Sequence, residues 1–427
     1  MAAPQAKADT LGPRLAALSA APTKGWTATA RADALARLTA MGLPGRRDEY
    51  WRYTRPDSLN APAAEKSAIF KNEESPLFDA VDRLKIVFVD GVFSEAESDP
   101  LDVAGIKIER LAVAQGADIH WAQSLYGALE AAGQKPVLRP FAALNTAMAT
   151  DGVLIHATGK AHRPVSLIYR HESETSDAVL HHVVKLDAGA ELTVLENGPA
   201  AARFNKVMEV DVAEGARFHH IRAQGRDHER RAVTHIFARV AAEATFKSFT
   251  LTVNGRLTRN ECVIDMVGDD AVAHVAGACM GDGDFHHDDT VFVTHGALNG
   301  ESRQVFKKVL RNGATGVFQG KILVQPGAQK TDGYQISQSL LLDDDSQFLA
   351  KPELEIYADD VACSHGSTSG AIDETALYYL RSRGVPKKDA VDLLVMSFMA
   401  EALDEVEDES LREEIAERLR GWLVRRC

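Results

Sequence analysis

The fold is decided by six short stretches that share one pattern: KLDAGAELTV (185–194), DVAEGARFHH (211–220), RVAAEATFKS (239–248), MVGDDAVAHV (266–275), VTHGALNGES (293–302) and VQPGAQKTDG (324–333). Each can be aligned on one alanine, and the intervals between them are 26, 28, 27, 26 and 31 residues: Ala190, Ala216, Ala244, Ala271, Ala297 and Ala328. Four positions before each alanine stands an apolar residue: Leu186, Val212, Val240, Val267, Val293 and Val324. A fixed offset of this kind indicates an internal repeat.

Each repeat reads as a short strand, a turn of Gly, Ala or Asp, a second short strand and a polar return loop. The strands follow one another too closely for crossover helices, which excludes the doubly wound α/β sheet. If the repeats stack in register, each strand lies parallel to its counterpart in the next coil. The sequence therefore predicts a mainly β protein with a parallel β-helix core, in which neighbouring coils complete one another's apolar interior. A jelly-roll sandwich is the alternative, and the regular interval argues against it.

Helical segments flank this core. Residues 1–82 are predicted to be mostly helical, 83–370 to form the strand-rich β-helix, and 371–427 to be helical again. The stretch LPGRRDEYWRYTRP (43–56) is interpreted as an amphipathic turn that pins the N-terminal helices to the body. The Asp90-Gly91 pair within LKIVFVDGVF (84–93) predicts a tight hairpin.

The C-terminal region carries an apolar stripe at helical spacing, formed by Val391, Leu394, Val395, Phe398 and Ala402. A small helical cluster cannot bury all of its apolar surface within itself. Part of this surface is therefore expected to face the β-helix or a partner protein.

Composition narrows the functional classes. The 427 residues carry a net charge of −13, which favours neither nucleic acid nor an anionic membrane as a partner. No apolar run is long enough for a membrane-spanning helix, and the first 18 residues lack the apolar core of a secretory signal. Cys262, Cys279, Cys363 and Cys427 are too few and too scattered for a disulfide framework. We expect reduced thiols in a cytoplasmic protein.

Catalytic motifs are missing from the sequence. It contains no G-x-S-x-G elbow and no H-E-x-x-H pair. GATGVFQGKI (313–322) superficially resembles a phosphate loop, but Thr315 and Ile322 replace the first glycine and the metal-binding hydroxyl. We therefore expect no ATP site in this chain and no enzymatic activity.

The histidines raise the question of a metal site. In His286-His287-Asp288-Asp289, neighbouring side chains of a strand point to opposite faces, so only alternate members could share an ion. The pairs His181-His182 and His219-His220 fall at related places in two repeats, which predicts a stacked ladder. Packing or solvated roles are the preferred interpretation of all of these histidines.

The stretch KPELEIYADDVACSHGSTSG (351–370) is more specific. In an extended backbone Cys363 and His365 lie on one side of the strand, within about 7 Å of each other. Thiolate and imidazole are both ligands of iron in iron–sulfur clusters. Two ligands make an incomplete site, and on spacing alone a glycine-containing turn before the C-terminal helices explains the stretch equally well.

Several separate motifs, in one order along the chain, resemble the SufB/SufD family of iron–sulfur cluster assembly proteins. They are LPGRRDEYWRYT (43–54), FAALNTAMATDGVLIH (141–156), HHDDTVFVTHGALNGESRQVFKKVL (286–310) and the long stretch that runs from FQGKIL to PKKDA (318–390). The resemblance covers nearly the whole chain. The N-terminal motif and the Cys-Ser-His-Gly stretch are most similar to the SufD branch.

The resemblance implies a right-handed parallel β-helix and a non-catalytic role in a complex that scaffolds nascent clusters for transfer to apo-proteins. Its implied partners are a SufB-like subunit, bound through the β-helix, and a SufC-like ATPase, bound through the C-terminal helices. It further implies that His365 is a ligand of a transient cluster shared with SufB, with Cys363 a less certain one. Self-association of the isolated chain stays open. The alternatives are a purely structural adaptor in the same complex and, more remotely, a carbohydrate-active β-helix enzyme.

Overall fold

The sequence repeats form two stacks of parallel strands. The computed structural model describes residues 10–19, 24–69, 77–198, 200–225 and 229–424. They form a mainly β structure, a parallel β-solenoid of about seven turns with helices at both ends, which confirms the predicted fold class. The jelly-roll alternative is wrong, because the strands of successive coils pair parallel rather than antiparallel.

The helices lie before, between and after the strands. They are α1 (Leu11–Ala16), α2 (Ala28–Met41), α3 (Asp57–Asn60), α4 (Leu111–Ala114), α5 (Ala128–Ala132), α6 (Pro140–Met148), α7 (Glu374–Ser382), α8 (Lys387–Leu403) and α9 (Glu409–Val424). Two short 3₁₀ turns cover Glu49–Trp51 and Trp121–Ser124.

The strands are β1 (Leu84–Val89), β2 (Val92–Phe93), β3 (Asp102–Val103), β4 (Ile106–Arg110), β5 (Val153–Ala157), β6 (Val165–Arg170), β7 (Asp177–Leu186), β8 (Glu191–Asn197), β9 (Arg203–Val212), β10 (Arg217–Gln224), β11 (Arg231–Val240), β12 (Thr245–Val253), β13 (Leu257–Met266), β14 (Val272–Asp282), β15 (His286–His295), β16 (Glu301–Arg311), β17 (Thr315–Val324), β18 (Asp332–Leu341), β19 (Gln347–Ile356) and β20 (Ala362–Gly370).

Each coil contributes one strand to each of two ten-stranded sheets. Sheet one has the order β2-β1-β6-β8-β10-β12-β14-β16-β18-β20. Sheet two has the order β19-β17-β15-β13-β11-β9-β7-β5-β4-β3. Side chains alternate between the interior of the solenoid and its outer faces, as strand geometry requires.

The apolar stack of the repeat lies inside sheet two, but the alignment on alanine misplaces its residue in the fourth and fifth coils. Val240 is fully buried and lies beside Met266, whereas Val267 is 47% exposed. Beside Met266 in the fifth coil lies His295, and Val293 is a buried residue of a different stack. The stack thus runs through the following residues: Leu186, Val212, Val240, Met266, His295 and Val324.

The cause is a change in turn length. From the buried stack to the corner the chain takes four residues in the first three coils, as in Val240 to Ala244, but five from Met266 to Ala271. The corner of the fifth coil is consequently Gly300, and Ala297 is only half-buried. The corner stack begins with four buried alanines and then changes residue type: Ala190, Ala216, Ala244, Ala271, Gly300 and Thr331.

The N-terminal aromatic motif packs on the outer face of sheet two, which confirms its predicted pinning role. Trp51 stacks edge-on against Phe141 of α6 and lies under the Arg259 guanidinium, 4.2 Å from the ring centroid. Tyr50 packs against Phe292 with ring centroids 5.2 Å apart. These contacts join the 3₁₀ turn and α6 to β13 and β15, and Leu38 of α2 lies in the same buried cluster as Trp51.

The C-terminal helices fold back on the outer face of sheet one. Val395 and Met399 of α8 and Trp422 of α9 are buried against apolar residues of β12, β14 and β16. The predicted apolar surface therefore faces the β-helix. None of the described helices combines the length and the apolar character that crossing a membrane requires.

The cysteines Cys262 and Cys279 are buried and free, and Cys363 is half-buried and free. The fourth cysteine of the sequence prediction, Cys427, lies outside the described residues, as do residues 1–9, on which the prediction about a secretory signal partly rests.

Candidate functional site

The C-terminal end of the solenoid is open. In the part of the chain that the structure describes, β19 pairs only with β17, and β20 pairs only with β18. One backbone edge of each strand therefore carries N–H and C=O groups with no strand beside them. Inner side chains lose their cover as well: Ile322 is fully buried, but its neighbour in the last coil, Leu354, is only half-buried. We refer to β19 and β20 as the terminal rung.

The opposite end of the solenoid is closed by antiparallel strands. β1 pairs with the first coil and turns back through Asp90-Gly91 into β2, which confirms the predicted hairpin. In sheet two, β3, β4 and β5 pair antiparallel. Such short edge strands are a usual way to end a sheet without offering a template for further pairing. The two ends of the solenoid are therefore different.

Cys363 lies on the inner face of the terminal rung. It pairs in register with Gly333 of β18, and a Cβ atom at position 333 would lie 3.2 Å from the Cys363 Sγ. The thiol packs beside Ile322 and Leu354. Burial raises the pKa of Cys363 above that of an ordinary thiol, so this environment favours the protonated form.

His365 follows two residues later on the same face, and its side chain is exposed. Strand geometry separates the two residues by about 7 Å along β20. Within the described residues, no group of three or more His, Cys, Asp or Glu side chains is arranged to hold a metal ion. His365 and Cys363 present two donor atoms at the open end, and their role as ligands stays a prediction.

A charged cluster inside the solenoid was missed by the sequence reasoning. Lys206 of β9 and Glu196 of β8 project inward from the two sheets, and Lys206 Nζ donates to Glu196 Oε1 at 2.7 Å. Tyr169 donates its hydroxyl to the same carboxylate at 2.9 Å, and His220 Nε2 lies 3.2 Å from Glu196 Oε2. All four side chains are buried. The sequence could have revealed Glu196 and Lys206, because both occupy positions that alternate with the outward-facing residues of their strands.

Within this cluster, Glu196 and Lys206 are held in their ionised forms. Burial raises the pKa of Glu196, but Lys206, His220 and Arg222 outweigh this effect and hold the pKa well below its usual range. Burial lowers the pKa of Lys206 to about 8 and that of His220 to about 4. A buried pair of this kind requires good geometry and additional hydrogen bonds to offset its desolvation, and the three partners of Glu196 supply them.

A second inward group lies nearer the open end. Lys308 Nζ donates to Asp289 at 2.5 Å and lies 3.0 Å from Nδ1 of His287. His286 and Asp288 face outward, where Thr54 donates to Asp288 at 2.5 Å. The four-residue stretch is therefore divided between two faces, as strand alternation predicted.

The predicted histidine ladder is wrong. His182 belongs to β7 in sheet two, whereas His220 belongs to β10 in sheet one, so the two pairs cannot stack. The reason is that each coil contains two long strands, and the pairs occur in different ones. The preferred packing role is borne out, since His181 is buried 2.9 Å from Glu209 and His182 is buried 3.0 Å from the Tyr169 hydroxyl.

The segment that resembles a phosphate loop is a strand. Residues 315–322 form most of β17, and their backbone pairs with β15 on one side and β19 on the other. Backbone N–H groups in such a ladder are not directed at a phosphate, and no helix begins there to supply its positive end. This segment therefore does not form a phosphate loop.

The C-terminal helices leave one aromatic surface uncovered. In α7 only Leu377 is buried, while Tyr378 is 75% exposed and Tyr379 is 54% exposed. Leu393 of α8 is also exposed. Exposed tyrosines on a helix that packs only lightly on the body are typical of a surface that binds another protein.

Comparison with known proteins identifies the family. A family model described as "SUF system FeS cluster assembly, SufBD core domain" matches residues 169–398, more than half of the chain. The chain is 28% identical to the iron–sulfur cluster assembly protein SufD of Escherichia coli, over 90% of each protein. It is 27% identical to an iron–sulfur cluster assembly SufBD family protein of Synechocystis, over 88% of this chain and 86% of that protein. It is 25% identical to SufD of Bacillus subtilis, over 64% of each. The chain therefore belongs to the SufBD family of SUF-system iron–sulfur cluster assembly proteins.

Proposed function

We propose that this chain is a cytoplasmic, non-catalytic subunit of a SUF-type complex that scaffolds nascent iron–sulfur clusters for transfer to apo-proteins. The observation that carries the proposal is the placement of His365, exposed on the inner face of an open rung, with Cys363 two residues away. Family membership supports the cluster assembly role. The open rung suggests where the cluster is held.

A SufB-like subunit is the partner proposed for the terminal rung. The free backbone edges of β19 and β20 can pair with strands of a second solenoid, and half-buried residues such as Leu354 would then be covered. In this arrangement His365 faces the partner. A cluster at this junction needs only one or two ligands from this chain, because the partner can supply thiolates. The cluster is cargo of the complex, and separation of the two chains would expose it to an apo-protein.

His365 is the principal ligand in this proposal, and Cys363 is secondary. A neutral imidazole can offer a nitrogen lone pair to iron directly. A thiol must first lose its proton, and burial makes that loss less favourable for Cys363. Cys363 therefore contributes only where iron already lies close enough to stabilise the thiolate.

The C-terminal helices are the proposed docking surface of a SufC-like ATPase. In this proposal the ATPase, and not this chain, hydrolyses the nucleotide. The exposed side chains of Tyr378, Tyr379 and Leu393 support this placement. The terminal rung and this surface are formed by different elements, so both partners can bind at once. In the isolated chain, the open rung could pair with a second copy of itself.

The test uses the complex co-expressed with its SufB-like and SufC-like partners. His365→Ala should leave the complex assembled in gel filtration but remove most of the iron and sulfide gained in anaerobic reconstitution. Cys363→Ser should have an equal or milder effect. Ser367→Ala is the matched control, since Ser367 lies on the same face of β20 and accepts a hydrogen bond from Ser337 of β18 at 3.0 Å.

Parental iron content and parental maturation of client proteins in the His365→Ala complex would contradict ligation and leave the chain a structural adaptor. Dissociation of that complex would instead assign His365 to the interface. If Ser367→Ala lost as much cluster as His365→Ala, the terminal rung would be sensitive to any substitution, and the result would assign no special role to His365.

A further inference from the structure

A column of three polar residues ends at His365. Gln304 of β16, Gln335 of β18 and His365 of β20 lie side by side in register. All three occupy positions that face the interior of the solenoid. Both glutamines are fully buried, and His365 is exposed because no further coil covers it.

The Gln335 amide is bonded to its neighbour on β16. Its Nε2 donates to Oε1 of Gln304 at 2.8 Å. Its own Oε1 is buried and has no hydrogen-bond partner among the described residues. Gln335 lies in register between Gln304 of β16 and His365 of β20, so the neighbour on the side away from Gln304 is His365. Amides stacked along parallel strands repeat this direction from one strand to the next, and the next residue is His365.

The opposite sheet leaves room for this amide. Gly320 of β17 faces it across the interior, and a Cβ atom at position 320 would come within 2.4 Å of Gln335 Nε2. A side chain at position 320 would therefore displace the amide. Gln304 on one side and the backbone of Gly320 on the other hold the Gln335 amide in place.

We propose that Gln335 is a positioning residue for His365. In the present orientation of the exposed His365 ring, no hydrogen bond joins it to Gln335 Oε1. A turn of the ring toward β18 lets one imidazole N–H donate to Gln335 Oε1, which satisfies the buried oxygen and fixes the tautomer of the ring. The second ring nitrogen then presents its lone pair at the open end. Orientation of a ligating histidine by an acceptor behind it is a general feature of metal sites. The importance of this bond for cluster assembly rests on the proposed function, whereas the bond itself is a property of this chain.

The test is nitrogen NMR of the full chain labelled with ¹⁵N in its histidine rings, at about pH 9, where an ordinary imidazole is neutral. The signals of His365 are assigned by their loss in His365→Ala. One tautomer should predominate in the parent. Gln335→Met should lower the ratio of the two tautomers on the order of fivefold, the factor that a typical net hydrogen bond supplies.

Two further variants separate positioning from a general packing effect. Gln335→Glu keeps an acceptor oxygen in the same place and should retain the parental ratio. Ser339→Ala removes another inner bond between β18 and β20, from Ser339 to Ser369 at 2.9 Å, and should leave the ratio unchanged. If Gln335→Met is insoluble, the same fall in the ratio is expected in Gly320→Ala, whose methyl group displaces the amide.

An unchanged ratio in Gln335→Met, or an equal change in Ser339→Ala, overturns the inference. Iron and sulfide content of the complex distinguishes this failure from failure of the proposed function. If the ratio falls in Gln335→Met but His365→Ala keeps its cluster, Gln335 positions the ring and the ring is no ligand. If the ratio is unchanged but His365→Ala loses its cluster, the ligand assignment stands and the positioning role is refuted.

Discussion

Replacing Val240 by Asp should unfold the middle of the solenoid, whereas the same change at Val267 should leave it intact. The two valines lie in consecutive coils, at positions that the repeat alignment treats as equivalent. Val240 is fully buried between Val212 and Met266, while Val267 is 47% exposed. The pair therefore tests the corrected register with one type of substitution.

The expected difference is large. Loss of a buried valine side chain costs about 2 kcal/mol. An unpaired carboxylate in the interior adds roughly 3–5 kcal/mol, the cost of leaving a buried charge without its partner. The sum for Val240→Asp is comparable to the whole free energy of unfolding of many domains, about 5–15 kcal/mol. For Val267→Asp, a surface change, we expect no more than about 0.5 kcal/mol in either direction.

The assay is guanidinium unfolding followed by far-ultraviolet circular dichroism, with gel filtration of each preparation. Val267→Asp should unfold at the parental midpoint, and Val240→Asp should elute as an aggregate or unfold at a much lower midpoint. If Val240→Asp cannot be purified, Val240→Ala should still lose about 2 kcal/mol, since two methyl groups leave the core. Equal midpoints for the two Asp variants, or a larger loss at Val267, would refute the corrected register.

Three other changes test the interior and the N-terminal contacts. Burial lowers the pKa of His295 from 6.5 to about 4, so the unfolded chain takes up the proton first and the folded chain loses stability as the pH falls from 6.5 to 4. His295→Val should remove this loss, which is roughly 3 kcal/mol at 1.36 kcal/mol per pH unit. Parallel pH profiles of the unfolding midpoint in parent and variant would contradict this. Lys206→Met leaves the Glu196 carboxylate buried without its nearest cation and should cost about 3–5 kcal/mol, part of which the double variant with Glu196→Gln should restore. A double variant no more stable than the single one would argue against the pair. Trp51→Ala removes the ring beneath Arg259 and should cost about 3–5 kcal/mol, with faster proteolysis in residues 24–69, and unchanged cleavage would show that the motif does not pin the N-terminal region.

The architecture could be predicted from the sequence because the coils repeat, but the register within each coil could not. A four-residue spacing fits the first three coils, and then the turn gains one residue. In the sequence, Val267 is the apolar residue four positions before the alanine, and nothing favours its neighbour Met266 as the buried one. Only the backbone pairing of β11 with β13 decides between them. His295 was beyond prediction for a related reason, since a histidine in an apolar stack has no counterpart in the other coils.

The candidate site was predicted in part. Strand alternation correctly places Cys363 and His365 on one face, because that inference depends only on local geometry. That this face is uncovered depends on where α7, α8 and α9 pack. α8 and α9 fold back on sheet one rather than over the last coil, and α7 packs on α8. Nothing in the spacing of residues 351–370 indicates this. The inward charges Glu196 and Lys206 were missed because a charge within a strand ordinarily marks the solvent side.

The difference between the closed and the open end of the solenoid matters during synthesis. A ribosome adds about 5–20 residues per second, so a coil of nearly thirty residues emerges over seconds, and its strands can begin to pair with the preceding coil while the next coil is being made. The antiparallel strands appear first and serve as a template on which each new coil can zip before the next one is made. Among the described strands, the edge that a partner would occupy is thus the last to leave the ribosome, after every coil beneath it has been made.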